Sequence, residues 1–315
     1  MNAQELQKIV DPLNFSVVKV EPFFDETCLG EATGFFYVGV CNFDGGASNV
    51  TTYWLVTNWH VLSGRNSSSP NDILNINLAL PNRVRLTLIL NYGHPEYNIN
   101  DTVIATLFLE LYDANGKALW RQHKRKNEID VAVIKTNLKT EEFLICGING
   151  PHMQEDMAIR VGGNVFVVGY PLGFSHTITL PIWKHGHIAS EPYLEASDVR
   201  GVSNNNRVVI DATTRSGMSG SPVFLRETSH YLCEDGTIKC RPVSTKWVGI
   251  YASKPMLVNY NKKLEDACKD NDALKEIIRD IVRNSMGAEI GYFYRNCVLD
   301  VIGDDISGPD YGLCP

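Results

Sequence analysis

"DATTRSGMSGSPVF", residues 211–224, sets Ser219 between Met218 and Gly220, with Gly217 two positions earlier. One apolar run, "RVVIDA", leads into this stretch and another, "SPVFL", leads out of it. Glycines around a serine between two such runs mark a backbone that turns sharply, because glycine enters positive φ without a Cβ penalty. A serine presented this way is either a turn residue or a nucleophile.

Outward from this turn, short apolar or alternating runs with turn punctuation dominate the chain. "ATGFFYVGVCNF" and "TTYWLVTNWHVL" read as strands around a "DGGAS" turn. "ILNINLAL" and "RVRLTLIL" alternate with period two, split by "PNR". "TVIATLFLELY" and "KALWRQH" flank Asp113-Ala114-Asn115-Gly116, a hairpin signal. "DVAVIKT", "NVFVVGY", "HTITLPIW", "KWVGIYA" and "AEIGYFY" continue the pattern. About a dozen strands at spacings of roughly 8–20 residues predict an all-β chain of antiparallel barrels or a sandwich, not a βαβ alternation. One helix interrupts. From Asp272, Leu274, Ile277, Ile278, Ile281 and Val282 recur at helical spacing, with Asp272 to cap the start and Gly287 the end. Its apolar stripe reads as docked on the barrel rather than as a partner-binding face.

The 315 residues suit one large domain or two modest ones. A net charge of -7 argues against a nucleic-acid binder, and the basic strip "RQHKRK" (residues 121–126) reads as a solvated loop. No basic region followed by an apolar one opens the chain, so no signal peptide is read. No apolar run approaches the ~18 residues of a membrane span. A cytoplasmic protein with mostly reduced thiols is therefore expected. The eight cysteines have no framework-like rhythm. Cys233 and Cys240 flank an Asp-Gly turn, and with His230 nearby they raise the question of zinc. A zinc site needs two more ligands at metal spacing, so a plain hairpin is the reading and no metal or other cofactor is expected.

A serine hydroxyl needs a base within hydrogen-bond reach, and the base needs an orienting group. Histidine suits the base because its pKa sits near working pH. Of eight histidines, His60 alone lies directly inside a strongly apolar context, "WLVTNWHVLSG". Alone it is as well read as a core histidine. Asp130, in "NEIDVAVIKT", opens an apolar strand, where an aspartate is usually a turn residue. Together, the order His60, Asp130, Ser219 is that of the chymotrypsin-type Ser-His-Asp set, and not of the other known orders.

The stretches "TGFFYVG", "VTNWHV", "IDVAVIK", "VFVVGYPLG", "GHIAS", "GMSGSPVF", "WVGIYA" and "EIGYFY" occur in the order seen in trypsin-like serine peptidases of the bacterial kind. "VTNWHV" and "VVGYPLG" resemble the HtrA/Deg peptidases. "GMSGSPVF" resembles the V8-type glutamyl endopeptidases, with Ser221 where most relatives carry a second glycine. The resemblance spans about residues 30–293. It leaves out the N-terminal lead, the helix and the tail, and offers no room for a PDZ domain after the barrel.

The resemblance implies a chymotrypsin-like fold: two six-stranded antiparallel β-barrels with the site in the cleft between them and one C-terminal inserted helix. Residues 1–22 would be an N-terminal lead. Residues 23–140 would form the first barrel, carrying His60 and Asp130. Residues 141–296 would form the second, carrying Ser219, with the inserted helix near 272–286, and residues 297–315 a tail. It implies a serine endopeptidase acting on protein or peptide. His60 would be general base and acid, Asp130 would hold its tautomer, and Ser219 would attack and form an acyl-enzyme. The N–H groups of Gly217 and Ser219 would form the oxyanion hole. Thr213, six residues before the nucleophile, would lie at the base of the P1 pocket, with Thr214, Tyr251, Ala252, Ser253 and Lys254 around it. Thr213 offers no carboxylate to a basic P1 residue, so a small-to-medium uncharged P1 is expected. An acidic P1 stays open through Thr214 and Lys254.

One departure stands out. Trypsin-type zymogens mature when a new N-terminal ammonium pairs with an aspartate just before the nucleophile, and here Met218 stands there. Activation by such cleavage is not expected. A regulatory protein partner, or the elements outside the resemblance, would instead order "TRSGMSG". The competing reading is a catalytically silent protease-like module that binds peptide without cutting it, against which the retained His60, Asp130 and Ser219 speak.

Overall fold

The computed structural model of the chain describes residues 2–42, 49–67, 69–123, 129–194, 196–197, 203–204, 207–253 and 290–294. The predicted helix near 272–286, the tail at 297–315 and Lys254 lie outside the described residues.

A capped helix α1 (Ala3–Ile9) and a 3-10 turn (Pro12–Ser16) precede the strands. The first sheet draws on β1 (Val17–Phe24), β2 (Thr27–Cys28), β3 (Ala32–Asn42) and β4 (Asn49–Thr57). A second short helix, α2 (Trp59–Ser63), follows β4, and a small ribbon pairs β5 (Arg65–Asn66) with β6 (Ser69–Ile73). The sheet continues with β7 (Arg83–Ile89), β8 (Ile104–Glu110), β9 (Trp120–Gln122) and β10 (Ala132–Lys135). Its order is β8-β7-β1-β3-β4-β10-β9, with β2 on β1, and its pairings are antiparallel. The two ends approach each other where Tyr112 bridges Ala118 across the Asp113–Gly116 turn.

The second unit contains β11 (Asn164–Gly169), β12 (Ile182–Ile188), β15 (Arg207–Ala212), β16 (Pro222–Leu232), β17 (Ile238–Ser253) and β18 (Ile290–Tyr294). These close into a six-stranded antiparallel barrel in the order β11-β12-β15-β18-β17-β16. A two-residue ribbon, β13 (Ala196–Ser197) on β14 (Ser203–Asn204), sits beside it. The fold is all-β and antiparallel.

Period-two side-chain alternation explains the uninterrupted apolar runs. In β10 and the residue before it, Val131 and Val133 join the core shared by the two units, while Ala132 and Ile134 face the inside of the first sheet. Phe35 against Phe36, and Trp54 and Val56 against Tyr53 and Leu55, divide the same way. From the barrel, Phe224, Val168 and Ile250 enter the shared core, and Val223, Leu225 and Val167 fill the barrel itself. Strands buried on both faces carry no polar alternation. Both units place candidate residues beside this shared core: Asp130 lies between its Ile129 and Val131, and Ala252 belongs to it.

β1 begins within the stretch read as an N-terminal lead and lies between β3 and β7. Its Val18 and Val20 are core residues of the first sheet. Cys233 and Cys240 lie on the β16–β17 hairpin, Cys233 buried and hydrogen-bonded to Asp156, Cys240 exposed. Among the described residues no helix is long and apolar enough to cross a membrane.

Candidate active site

His60 sits in α2, one turn long. Asn58 opens that helix in an extended conformation, and its buried amide donates to Asp130 O at 2.7 Å. Gly64 ends it at φ 67°, its N–H returning to His60 O. The helix is too short to stand alone, and these end contacts fix where the imidazole points.

Asp130 precedes β10 between Ile129 and Val131, both fully buried, and is itself 3% exposed. One carboxylate oxygen, Oδ1, accepts from the His60 backbone N–H at 2.9 Å. The other, Oδ2, lies 2.6 Å from His60 Nδ1. A carboxylate only accepts, so Nδ1 must carry the proton and Nε2 of neutral His60 keeps its lone pair. Burial of the ring works against the imidazolium, but the charge of Asp130 and its hydrogen bond outweigh that, and the His60 pKa is raised above its ordinary value.

The Ser219 turn lies between β15 and β16. Gly217 adopts φ 88° and Gly220 φ 84°, a region costly to any residue with a Cβ. Space requires the same residue. A Cβ on Gly217 would sit 2.2 Å from Tyr170 O. One on Gly220 would sit 2.2 Å from Thr33 O and 3.1 Å from Thr57 Cα. The turn thus abuts the backbone three residues before His60. Ser219 is half-buried. Among the described residues no hydrogen bond joins Ser219 Oγ to the His60 ring; such bonds are commonly long until substrate binds.

Backbone donors in this turn divide into two sets. Met218, Gly220 and Ser221 donate to Arg215 O, Tyr251 O and Met218 O at 3.0–3.3 Å. Gly217 N–H and Ser219 N–H donate to nothing among the described residues. Two backbone donors left over in one turn can bind an anionic oxygen. Met218, in the place of the zymogen aspartate, is fully buried in the barrel core and anchors the turn by apolar packing.

The residues expected around P1 separate. Thr213 is exposed. Thr214 and Tyr251 are buried and share a hydrogen bond of 2.6 Å between hydroxyls. Ala252 is buried and Ser253 ends β17. Arg215 Nη1 donates to Thr214 O at 3.2 Å. Thr33 is a residue that sequence reasoning passed over. It is fully buried against the turn, and nothing about a threonine at a strand start signals that contact.

A family model described as a trypsin-like peptidase domain matches residues 32–230. No curated protein matches the chain. Among solved structures, the chain is similar to the Rv3671c protease from M. tuberculosis. In that protein's active form the identity is 15% over 96% of this chain and 83% of that one, with a TM-score of 0.41. In its inactive form the identity is 17% over 94% and 90%, with a TM-score of 0.38.

Proposed function

The chain belongs to the trypsin-like peptidase domain family, and from that premise we propose that it is a serine endopeptidase working through an acyl-enzyme. Ser219 Oγ attacks the scissile carbonyl carbon while His60 Nε2 takes its proton. The carbonyl oxygen becomes an oxyanion and receives the N–H groups of Gly217 and Ser219, each worth about 3–4 kcal/mol of barrier. The leaving amine departs with the proton from His60, and water repeats the sequence to free Ser219.

The observation that carries this reading is the double grip of Asp130 on His60, one carboxylate oxygen on the backbone and one on the ring. It supports a single tautomer with Nε2 free, which is what a general base needs and a core histidine does not. The free N–H pair of Gly217 and Ser219 supports the same reading from the other unit.

The P1 pocket is proposed to lie between Thr213, Thr214 and the Tyr251–Lys254 stretch and to take an uncharged side chain of small to medium size. The deciding experiment combines a fluorophosphonate probe with peptide cleavage. Wild type is expected to label at Ser219 and to cut. Ser219→Ala is expected to do neither while keeping its melting temperature. An unlabelled wild type that still binds peptide would favour the silent binding module.

A further inference from the structure

The carbonyl oxygens of residues 214–219 are all engaged. Thr214 O accepts from Arg215 Nη1 at 3.2 Å. Arg215 O accepts from Met218 N, Ser216 O from Leu172 N at 2.6 Å, Met218 O from Ser221 N and Ser219 O from Thr33 N at 2.9 Å. The remaining one, Gly217 O, accepts from the side chain of Thr33 at 2.7 Å. A peptide unit is planar, so fixing its C=O also fixes its N–H. Gly217 O belongs to the peptide between the two free donors, Gly217 N–H and Ser219 N–H. Each donor's own peptide is held through its carbonyl, Ser216 O by Leu172 N and Met218 O by Ser221 N, and the Gly217–Met218 peptide between them sets the spacing and mutual tilt of the two donors.

Thr33 therefore holds this turn twice, once through its backbone N–H and once through its hydroxyl. The hydroxyl has a single proton. Tyr170 N–H donates to the same oxygen at 3.1 Å, which leaves the proton for Gly217 O. Thr33 O in turn accepts from Thr57 Oγ1 at 2.7 Å, three residues before His60. Thr33 is fully buried, so water does not compete for these partners. One residue on the first sheet thus joins the histidine strand through its carbonyl, and the Tyr170 segment and the serine turn through its hydroxyl.

We propose that Thr33 is a positioning residue: its hydroxyl holds the Gly217–Met218 peptide so that the Gly217 and Ser219 N–H groups face the oxyanion. The proposal rests on the peptidase reading above. It also gives a turn without the zymogen aspartate an anchor within the chain itself.

The test compares Thr33→Val, which keeps the shape and removes the proton, with Thr33→Ser, which keeps the hydroxyl. For Thr33→Val, kcat is expected to fall by about tenfold or more, with KM within about twofold, because oxyanion donors act in the transition state. Affinity for a peptide aldehyde, whose adduct needs the oxyanion hole, should fall by the same factor. Affinity for the matching uncleavable peptide should stay. Thr33→Ser should restore both kcat and the aldehyde affinity. If Thr33→Val does not fold, Thr33→Cys, a weak donor of similar size, is expected to lose kcat in the same pattern. A Thr33→Val or Thr33→Cys enzyme with wild-type kcat, or a loss shared equally by KM and peptide affinity, would overturn the assignment. A wild type that neither reacts with fluorophosphonate nor binds the aldehyde would bring down the peptidase reading, and this proposal with it.

Discussion

At the scale of single residues, Asp130 decides the behaviour of His60, and pH reads it out. Neutral His60 is the proposed working form. Because the charge of Asp130 overcomes the burial that opposes the imidazolium, the proton leaves at higher pH than from an ordinary histidine. The acid limb of kcat/KM is therefore expected above the usual histidine pKa of about 6.5. In Asp130→Asn the burial remains and the charge is gone, so the limb should move below that value. Turnover should also fall by about 10⁴, the loss known for this substitution in Ser-His-Asp sites. A loss under tenfold, or an unmoved limb, would mean another group orients His60. Stability follows the same sign. The raised pKa makes protonated His60 a stabilising partner at low pH, and that contribution fades as pH rises through the folded-state pKa. Substrate choice is a residue-scale matter too. The Thr214 and Tyr251 hydroxyls satisfy each other in burial, and a Lys or Arg at P1 would find no carboxylate partner in them. An unpaired buried charge costs several kcal/mol, about three decades or more in specificity. Fluorogenic peptides differing only at P1 should favour uncharged small-to-medium residues. Preference for Arg or Lys would remove the pocket assignment, and preference for Glu would favour the V8-like one. The candidates His60, Asp130 and Ser219 are legible in the sequence only together: each alone also reads as a core or turn residue, and their order with the stretches around them singles them out. Thr33 is not legible, since its partner Gly217 lies 184 residues further on.

Elements are legible where alternation is the only signal, and not where side chains offer the backbone a local turn. "ILNINLAL" alternates like a strand, yet only Ile73 of it is in one. Asn75 accepts from Asn77 N–H through its side chain and from Leu78 N–H through its carbonyl, with Leu78 at φ 56°. That asparagine turn outcompetes a ladder. In "HTITLPIW" the backbone itself makes the turn: Thr179 N–H returns to His176 O, and β12 starts only at Ile182. The glycine turn around Ser219 is the opposite case, with local chemistry and fold in agreement. A matched pair of substitutions tests what that glycine is for. Gly220 and Gly116 share a positive φ, 84° and 76°, but a Cβ on Gly116 meets nothing within 4 Å. Gly116→Ala should cost about 1 kcal/mol and keep full activity. Gly220→Ala adds a clash with Thr33 O and Thr57, and should cost about 2 kcal/mol or more and most of the activity. Denaturant midpoints and peptide cleavage on both variants check this. Equal costs would mean that φ alone, and not the approach to the Thr57 backbone, selects glycine at 220.

Across the whole molecule, the proposed chemistry depends on the junction of two units. His60 and Asp130 belong to the first sheet and Ser219 to the barrel, with a common apolar core behind them. The class of fold is legible from strand density and turn chemistry. What is not legible is how far each sheet closes. The ends of the first sheet meet across the Asp113–Gly116 turn, which its hairpin signal announces, but the barrel closes by pairing β15 and β17 with the sequence-distant β18, and no local pattern encodes that register. The N-terminal residues are a second example, because the contacts that dock them are long-range. Leu6 is buried with Ile89, Leu144 and Leu180, Asn14 accepts from Trp183 Nε1 at 2.7 Å, and Asp11 pairs with Arg226 at 2.6 Å.

Two apolar truncations separate holding the molecule together from holding the site together. Phe224 is fully buried in the shared core, stacked on Trp183 at 5.8 Å, and stands on β16 three residues beyond Ser221. Leu6 is equally buried but packs among residues of the N-terminal cluster that the proposed mechanism does not use. Leu6→Ala should cost about 2–5 kcal/mol and Phe224→Ala about 3–5 kcal/mol, the range for large-to-small changes in a packed core. Below their unfolding transitions the two should differ in turnover. Leu6→Ala is expected to keep kcat, because nothing between His60 and Ser219 moves. Phe224→Ala is expected to lower it, because the cavity opens behind the strand that carries the serine turn, and a shift of about 1 Å there costs about 10²-fold. Chemical unfolding followed by tryptophan fluorescence gives the stabilities, and kcat on the folded fraction gives the rest. Equal kcat in both variants would show that the shared core only stabilises the chain and leaves the alignment of His60 and Ser219 to the hydrogen bonds at the cleft.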